Sequence, residues 1–217
     1  MIMYMCEDEE IPCIAITNRH LVERNYLEQI KRVMKQNPES LILREKDLSA
    51  KEYEELAEQV TAMGEKYGIP VFLHFYVDVA KGLGVPNIHV PFWILQKMTR
   101  EEKKFFQQIG VSVHSVQEAK EAQKLGASRL IAGHIFETSC KPGLPSRGLD
   151  FLNSVCENVT IPVYAIGGIT HKNARECILA GAKGVCMMSK FMKIGNFINK
   201  DVHNPPLFTD TNSTTLK

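Results

Sequence analysis

Short apolar runs alternate along the chain with longer stretches in which apolar positions recur every third or fourth residue. The runs at residues 13–17, 40–43, 70–73, 87–90, 111–113, 129–132, 162–166 and 184–187 predict strands. Most are apolar on both faces, the pattern of strands covered from both sides. Between them the spacing of Tyr53, Leu56, Ala57, Val60 and Met63 predicts a helix over Ala50–Tyr67, with further helices over 116–125 and 171–180. Ser115 and Thr170 stand as N-caps, and Gly68, Gly126 and Gly181 close three helices where a left-handed cap is needed. Strands alternating with helices imply a parallel sheet, and eight strand candidates predict an α/β fold closed as a (β/α)8 TIM barrel.

The C-terminal end departs from that regularity. Gly195, Pro205 and Pro206 interrupt what an eighth helix of ordinary length would occupy. The expectation is a short, atypical last helix from Ser189. Residues 1–193 are then one barrel domain, and 194–217 a tail without fixed structure. A last strand so thinly covered favours a homodimer.

Composition narrows the function. Lys plus Arg number 26 against 25 Asp plus Glu, and no dense basic run occurs, so no nucleic-acid partner is expected. The six cysteines lack CxxC spacing, which fits a reduced, cytoplasmic protein. Residues 1–10 carry four acidic side chains and no basic leader, so no signal peptide is read there. Nothing approaches the roughly 20 apolar residues that span a bilayer, so no membrane partner is expected.

Candidate chemistry gathers at the C-terminal ends of the predicted strands. After the sixth comes Gly133-His134-Ile135-Phe136-Glu137-Thr138-Ser139-Cys140-Lys141-Pro142-Gly143. This segment brings an imidazole, a hydroxyl, a carboxylate and an ammonium to the face where barrels do chemistry. Gly167-Gly168-Ile169-Thr170 after the seventh and Met188-Ser189 after the eighth form either plain turns or a backbone cradle for a phosphate monoester. Their pairing favours the phosphate. Arg44 and Lys46, two apart after the second strand, either lie on a solvated loop or point together into the mouth toward Lys141, facing an anion. Ser112 and His114 share a face of the fifth strand, and His114 is open between a ligand contact and a structural histidine. His74 and His89 sit among Phe75, Tyr76, Pro91, Phe92 and Trp93, an aromatic wall and not a metal site. His20, His171 and His203 read as surface residues.

Taken in order, Leu43-Arg44-Glu45-Lys46, Val77-Asp78-Val79-Ala80, Ser112-Val113-His114-Ser115, Lys141-Pro142-Gly143, Gly167-Gly168-Ile169-Thr170 and Met188-Ser189 resemble the thiamine phosphate synthase / TenI superfamily over residues 12–191. The resemblance implies the (β/α)8 barrel. Synthases of that superfamily join a pyrimidine pyrophosphate to a thiazole phosphate with Mg2+ held by two aspartates. Where an Asn-Asp pair ends their third strand this chain has His74-Phe75, and where the second aspartate follows the fourth strand it has Ile94. The glutamine that reads the aminopyrimidine is here Ile42.

The Gly-His-x-Phe-Glu-Thr-x-Cys-Lys segment looks like the TenI branch, the thiazole tautomerases. The resemblance then implies an isomerase: a metal-free, cofactor-free, aromatising proton shift on a carboxythiazole phosphate. His134 would be the acid–base, worth roughly 10²–10⁴-fold. Gly167, Gly168, Met188 and Ser189 would hold the phosphate, with Arg44, Lys46 or Lys141 on the carboxylate. Thr138 and Ser112 would orient the ring, and His114 stays a further binding candidate. Two alternatives stand beside it: a thiamine phosphate synthase-like transferase, and a non-catalytic regulator that binds thiazole phosphate.

Overall fold

The computed structural model describes residues 5–6, 9–138 and 143–194. Eight parallel strands close into a barrel: β1 (Cys13–Ile16), β2 (Ser40–Leu43), β3 (Val71–His74), β4 (Asn87–Pro91), β5 (Gln108–Val113), β6 (Arg129–Gly133), β7 (Val163–Ile166) and β8 (Gly184–Met187). Each pairs in parallel with its sequence neighbours, and β8 closes onto β1 through Val185 with Cys13 and Cys186 with Ile14. The expected (β/α)8 barrel is the observed one. Strand and helix alternate because apolar runs too short for helices are separated by stretches of helical period. Outside the barrel, Met5–Cys6 and Glu9–Glu10 pair antiparallel.

Helix ends follow local chemistry. The helix α1 (Tyr26–Met34) starts at Asn25, whose side chain accepts the Glu28 amide. The long α2 (Ala50–Tyr67) opens with a Ser49/Glu52 capping box and ends at Gly68, φ +68°. Next come α3 (Val77–Gly82), α4 (Phe92–Lys97) and α5 (Arg100–Phe105), then α6 (Val116–Lys124), capped by Ser115 as expected. The helices α7 (Gly148–Glu157), α8 (Ala174–Leu179) and the four-residue α9 (Ser189–Met192) complete the ring. Thr170 is not a cap. The α8 helix begins only after Asn173, whose side chain accepts the Thr170 amide at 2.7 Å and donates to the Gly168 carbonyl at 3.1 Å, closing residues 168–173 as a turn. The short last helix agrees with the glycine and prolines beyond it, and the expected tail lies, from residue 195 onward, outside the described residues.

Two apolar layers result. Outward-facing strand residues pack under the helices, while Ile14, Ile16, Ile42, Phe72, Ile131, Tyr164 and Cys186 form a second cluster. Strands β3 to β6 also bring in the polar side chains His74, His89, Ser112 and Arg129, with Arg129 stacked on Phe72. Among the described residues no helix is long and apolar enough to cross a membrane, and Cys13, Cys156, Cys177 and Cys186 are free thiols.

Candidate active site

The segment after β2 separates its charges. Glu45 is buried and turned toward β1, where it accepts the Thr17 hydroxyl at 2.7 Å, the Tyr26 hydroxyl at 2.8 Å and the Arg19 amide at 3.0 Å. Thr17 Oγ1 in turn accepts the Arg44 amide at 2.8 Å. Asp47 binds the Arg19 guanidinium through both oxygens, at 2.5 and 2.6 Å, and His20 at 2.8 Å. The Arg19 hydrogen bonds hold the Asp47 carboxyl well below the usual carboxylate range. Arg44 and Lys46 act elsewhere, on the neighbouring strand end.

The group on which both cations act is His74, at the end of β3. Burial, with Lys46 and Arg44 adding their charge, pushes its imidazole down to about 3, so it is neutral near pH 7. The ring stacks on His89 with centroids 5.9 Å apart, and His89 Nε2 lies 2.8 Å from Ser112 Oγ. Burial first, then His74 and Arg129, keep His89 neutral as well. The backbone here is pinned from outside: Tyr53 of α2 donates to the Leu43 carbonyl at 2.6 Å and accepts the His74 amide at 2.8 Å. Phe75 follows in the left-handed region, φ +75°, a conformation that costs a non-glycine residue about 1–2 kcal/mol. Its ring meets the edge of Trp93 at 5.9 Å, and the Lys97 ammonium lies 5.0 Å from the Trp93 ring centre. The aromatic wall expected here is present.

On the opposite side, His114 is exposed and its Nδ1 lies 2.9 Å from the Gly133 carbonyl. A carbonyl only accepts, so Nδ1 carries the proton and Nε2 is the ring atom available to a ligand. His134 is buried, and its Nε2 donates to the Leu144 carbonyl at 3.1 Å, leaving Nδ1 as the basic atom. The loop after β6 pairs with the loop after β7: Ile135 donates to the Ile166 carbonyl at 2.9 Å and Phe136 to that of Gly167 at 3.0 Å. Gly167, φ +103°, has room for no side chain, since a Cβ would stand 2.2 Å from that of His134. A Cβ on Gly168 would stand 2.3 Å from the Glu137 carbonyl oxygen. These two glycines are thus required by loop-on-loop packing, whether or not a phosphate binds. Met188 packs on the interior cluster, and Ser189 is exposed at the start of α9. Thr138 is half-buried at the edge of the described segment, and Lys141 lies outside the described residues.

Arg44 and Lys46 thus converge on His74, Ser112 on His89, and His114 and Gly167 on the loop that carries His134. Glu45, Tyr53 and Arg129 carry as much of the architecture and were not anticipated. A carboxylate set between two cations directly after an apolar strand was the available signal for Glu45; Tyr53 looks like any core position of α2. A Mg2+ ion is a poor fit to the ends of β3 and β4. It demands oxygen ligands, whereas the positions carry His74, Phe75 and Ile94, and Asp78 is exposed on α3. Among the described residues no three His, Cys, Asp or Glu side chains are grouped to hold a metal.

A family model described as thiamine monophosphate synthase matches residues 13–191. A protein of Aquifex aeolicus with the provisional name thiamine-phosphate synthase 2 is 35% identical over 187 residues, covering 85% of this chain and all of its own length. The thiamine-phosphate synthase of Caldanaerobacter subterraneus is 33% identical over 178 residues, 79% of this chain and 81% of its own. Thiamine phosphate pyrophosphorylase from Pyrococcus furiosus superposes with a TM-score of 0.71 at 28% identity, covering 84% of this chain and 87% of that one. These findings overturn the tautomerase expectation: the relatives bear the synthase name, and the solved structure is a pyrophosphorylase. The isomerase reading rested on the Gly-His-x-Phe-Glu-Thr segment and on the aspartates replaced at His74-Phe75 and Ile94, whereas the likeness to synthases runs from β1 to α9. The proton-shuttle role expected of His134 belonged to that isomerase reaction. The chain is an enzyme of the thiamine monophosphate synthase family.

Proposed function

We propose that this enzyme is a transferase that joins hydroxymethylpyrimidine pyrophosphate to thiazole phosphate, giving thiamine phosphate. The thiazole nitrogen forms a bond to the pyrimidine methylene carbon, the carbon–oxygen bond to the pyrophosphate breaks, and pyrophosphate leaves with the electron pair. The observation that carries the reading is similarity to synthase-named relatives over nearly their whole length. The mouth is compatible with it. A leaving pyrophosphate gathers negative charge, and fixed cations placed where charge develops lower that barrier.

Arg44 and Lys46 are the residues we assign to this task. The neutral His74 beside them can donate or accept a hydrogen bond without adding charge of its own. Ser112 and His114 would contact the substrate rings, and the backbone at Gly167, Gly168, Met188 and Ser189 the thiazole phosphate. The donor set at β3 and β4 gives no basis for routing a step through Mg2+.

The test is incubation with both substrates, with and without added Mg2+, and detection of thiamine phosphate. Product formation is expected; its absence under both conditions overturns the proposal. Tight retention of thiazole phosphate without product would instead mark a binding protein.

A further inference from the structure

The charged segment after β2 is suspended between two carbonyls. That of Leu43, just before Arg44, accepts the Tyr53 hydroxyl at 2.6 Å, and that of Leu48, just after Asp47, accepts the Tyr76 hydroxyl. The two phenol rings lie against each other, with centroids 4.5 Å apart. Tyr53 is fully buried on α2, and its oxygen also accepts the His74 amide at 2.8 Å. Pairing of β2 with β3 ends at Leu43 and Leu73, so this one hydroxyl joins both strands at their last rung.

Tyr76 reaches its place through a strained turn. Its amide donates to the His74 carbonyl at 2.9 Å, and the residue between them, Phe75, has φ +75°. This is a γ-turn of the rare hand, one that a bulky residue seldom adopts. Such strain persists only where the surroundings over-determine it. Here the His89 carbonyl accepts the Phe75 amide at 3.1 Å, and the Leu48 carbonyl accepts the Tyr76 phenol. A glycine at 75 would let the chain leave β3 without strain. What the turn achieves is to bring Tyr76 against Tyr53, with one phenol on each end of residues 44–47.

We propose that Tyr53 and Tyr76 are positioning residues of the transfer reaction, fixing the segment that carries Arg44 and Lys46 relative to His74 and so to the pyrophosphate. The inference rests on the transferase reading, and both tyrosines act through the two cations. Burial pushes the Tyr53 phenol up, so it stays a donor across the working pH range. A group that meets developing charge loses much of its worth when misplaced by about 1 Å, as much as ~10²-fold in rate. Clamping the segment at both ends prevents that displacement.

Tyr53→Phe and Tyr76→Phe remove one hydroxyl each and keep the rings. Each should lower kcat for thiamine phosphate formation about 10-fold, while KM for thiazole phosphate, assigned to the loops after β7 and β8, stays within about twofold. In an Arg44→Ala/Lys46→Ala background the same substitutions should cost less than about twofold, because they act through those cations. Rates are taken per folded enzyme, with Tm measured alongside. If Tyr53→Phe does not fold, the half-buried Tyr76 decides alone through Tyr76→Phe. Wild-type kcat in either folded variant, a rise in KM for both substrates, or the full loss repeated in the double-alanine background overturns the proposal and leaves the transferase reading standing. An inactive wild type overturns both.

Discussion

The Thr17 hydroxyl donates to the Glu45 carboxylate at 2.7 Å while its oxygen accepts the Arg44 amide at 2.8 Å. One side chain at the end of β1 therefore fixes both the buried acid and the backbone of the neighbouring cation. Glu45→Ala would leave the Thr17 and Tyr26 hydroxyls and the Arg19 amide without their acceptor. A loss of about 3 kcal/mol is expected, read by urea unfolding. Glu45→Gln keeps the shape and one acceptor oxygen, and should lose less. Equal losses in the two variants would contradict this account.

Arg44 and Lys46 are assigned to the pyrophosphate. Arg44→Ala or Lys46→Ala should lower kcat/KM for thiamine phosphate formation roughly 10- to 100-fold, the worth of one charge-assisted hydrogen bond, with little change in Tm. Both cations also depress His74, so each variant should raise the His74 titration midpoint seen by NMR. Unchanged kinetics with a shifted His74 would leave the two cations in the mouth but remove them from the reaction.

His74 stays neutral in the folded protein down to about 3, whereas an unfolded chain protonates its histidines near ~6.5. Between those values the unfolded state binds more protons. Stability from this residue is therefore fully present above ~6.5 and falls as the pH drops through the window. His89 is shifted in the same direction. Each buried histidine contributes a slope approaching roughly 1.4 kcal/mol per pH unit. Urea midpoints for wild type and His74→Asn at about pH 4 to 7 check it: the variant's slope should be shallower.

Gly167→Ala places a methyl group 2.2 Å from the His134 Cβ at a positive φ. The two loops must separate, at a cost of roughly 2–4 kcal/mol. Thermal unfolding should show a Tm several degrees lower, with activity lost in parallel because the loops after β6 and β7 share this contact.

The barrel was legible because its signal is periodic and repeated: runs such as 40–43 and 184–187 are too short and too apolar to be anything but covered strands. The cap at Ser115 was legible for the same local reason. At Thr170 the sequence misled, since Thr and Asn are both good caps and only the turn closed by Asn173 decides between them. The burial of Glu45 was not legible, because its Thr17 and Tyr26 partners come from distant segments. Arg129 was read as the start of a buried strand, and nothing local said its charge would end inside the barrel. The reaction class was misassigned because the sequence motif that begins at Gly133 and the replacement of two aspartates at Phe75 and Ile94 outweighed the likeness of the rest of the chain.

The run Arg44-Glu45-Lys46-Asp47 sums to zero by count. The fold takes Glu45 behind the strand and ties Asp47 to Arg19 and His20, while the charges of Lys46 and Arg44 act on the His74 imidazole. A neutral sequence thus divides its labour: the acids brace the segment, and the cations set the field that the end of β3 experiences. A count of charges along the chain would miss that division.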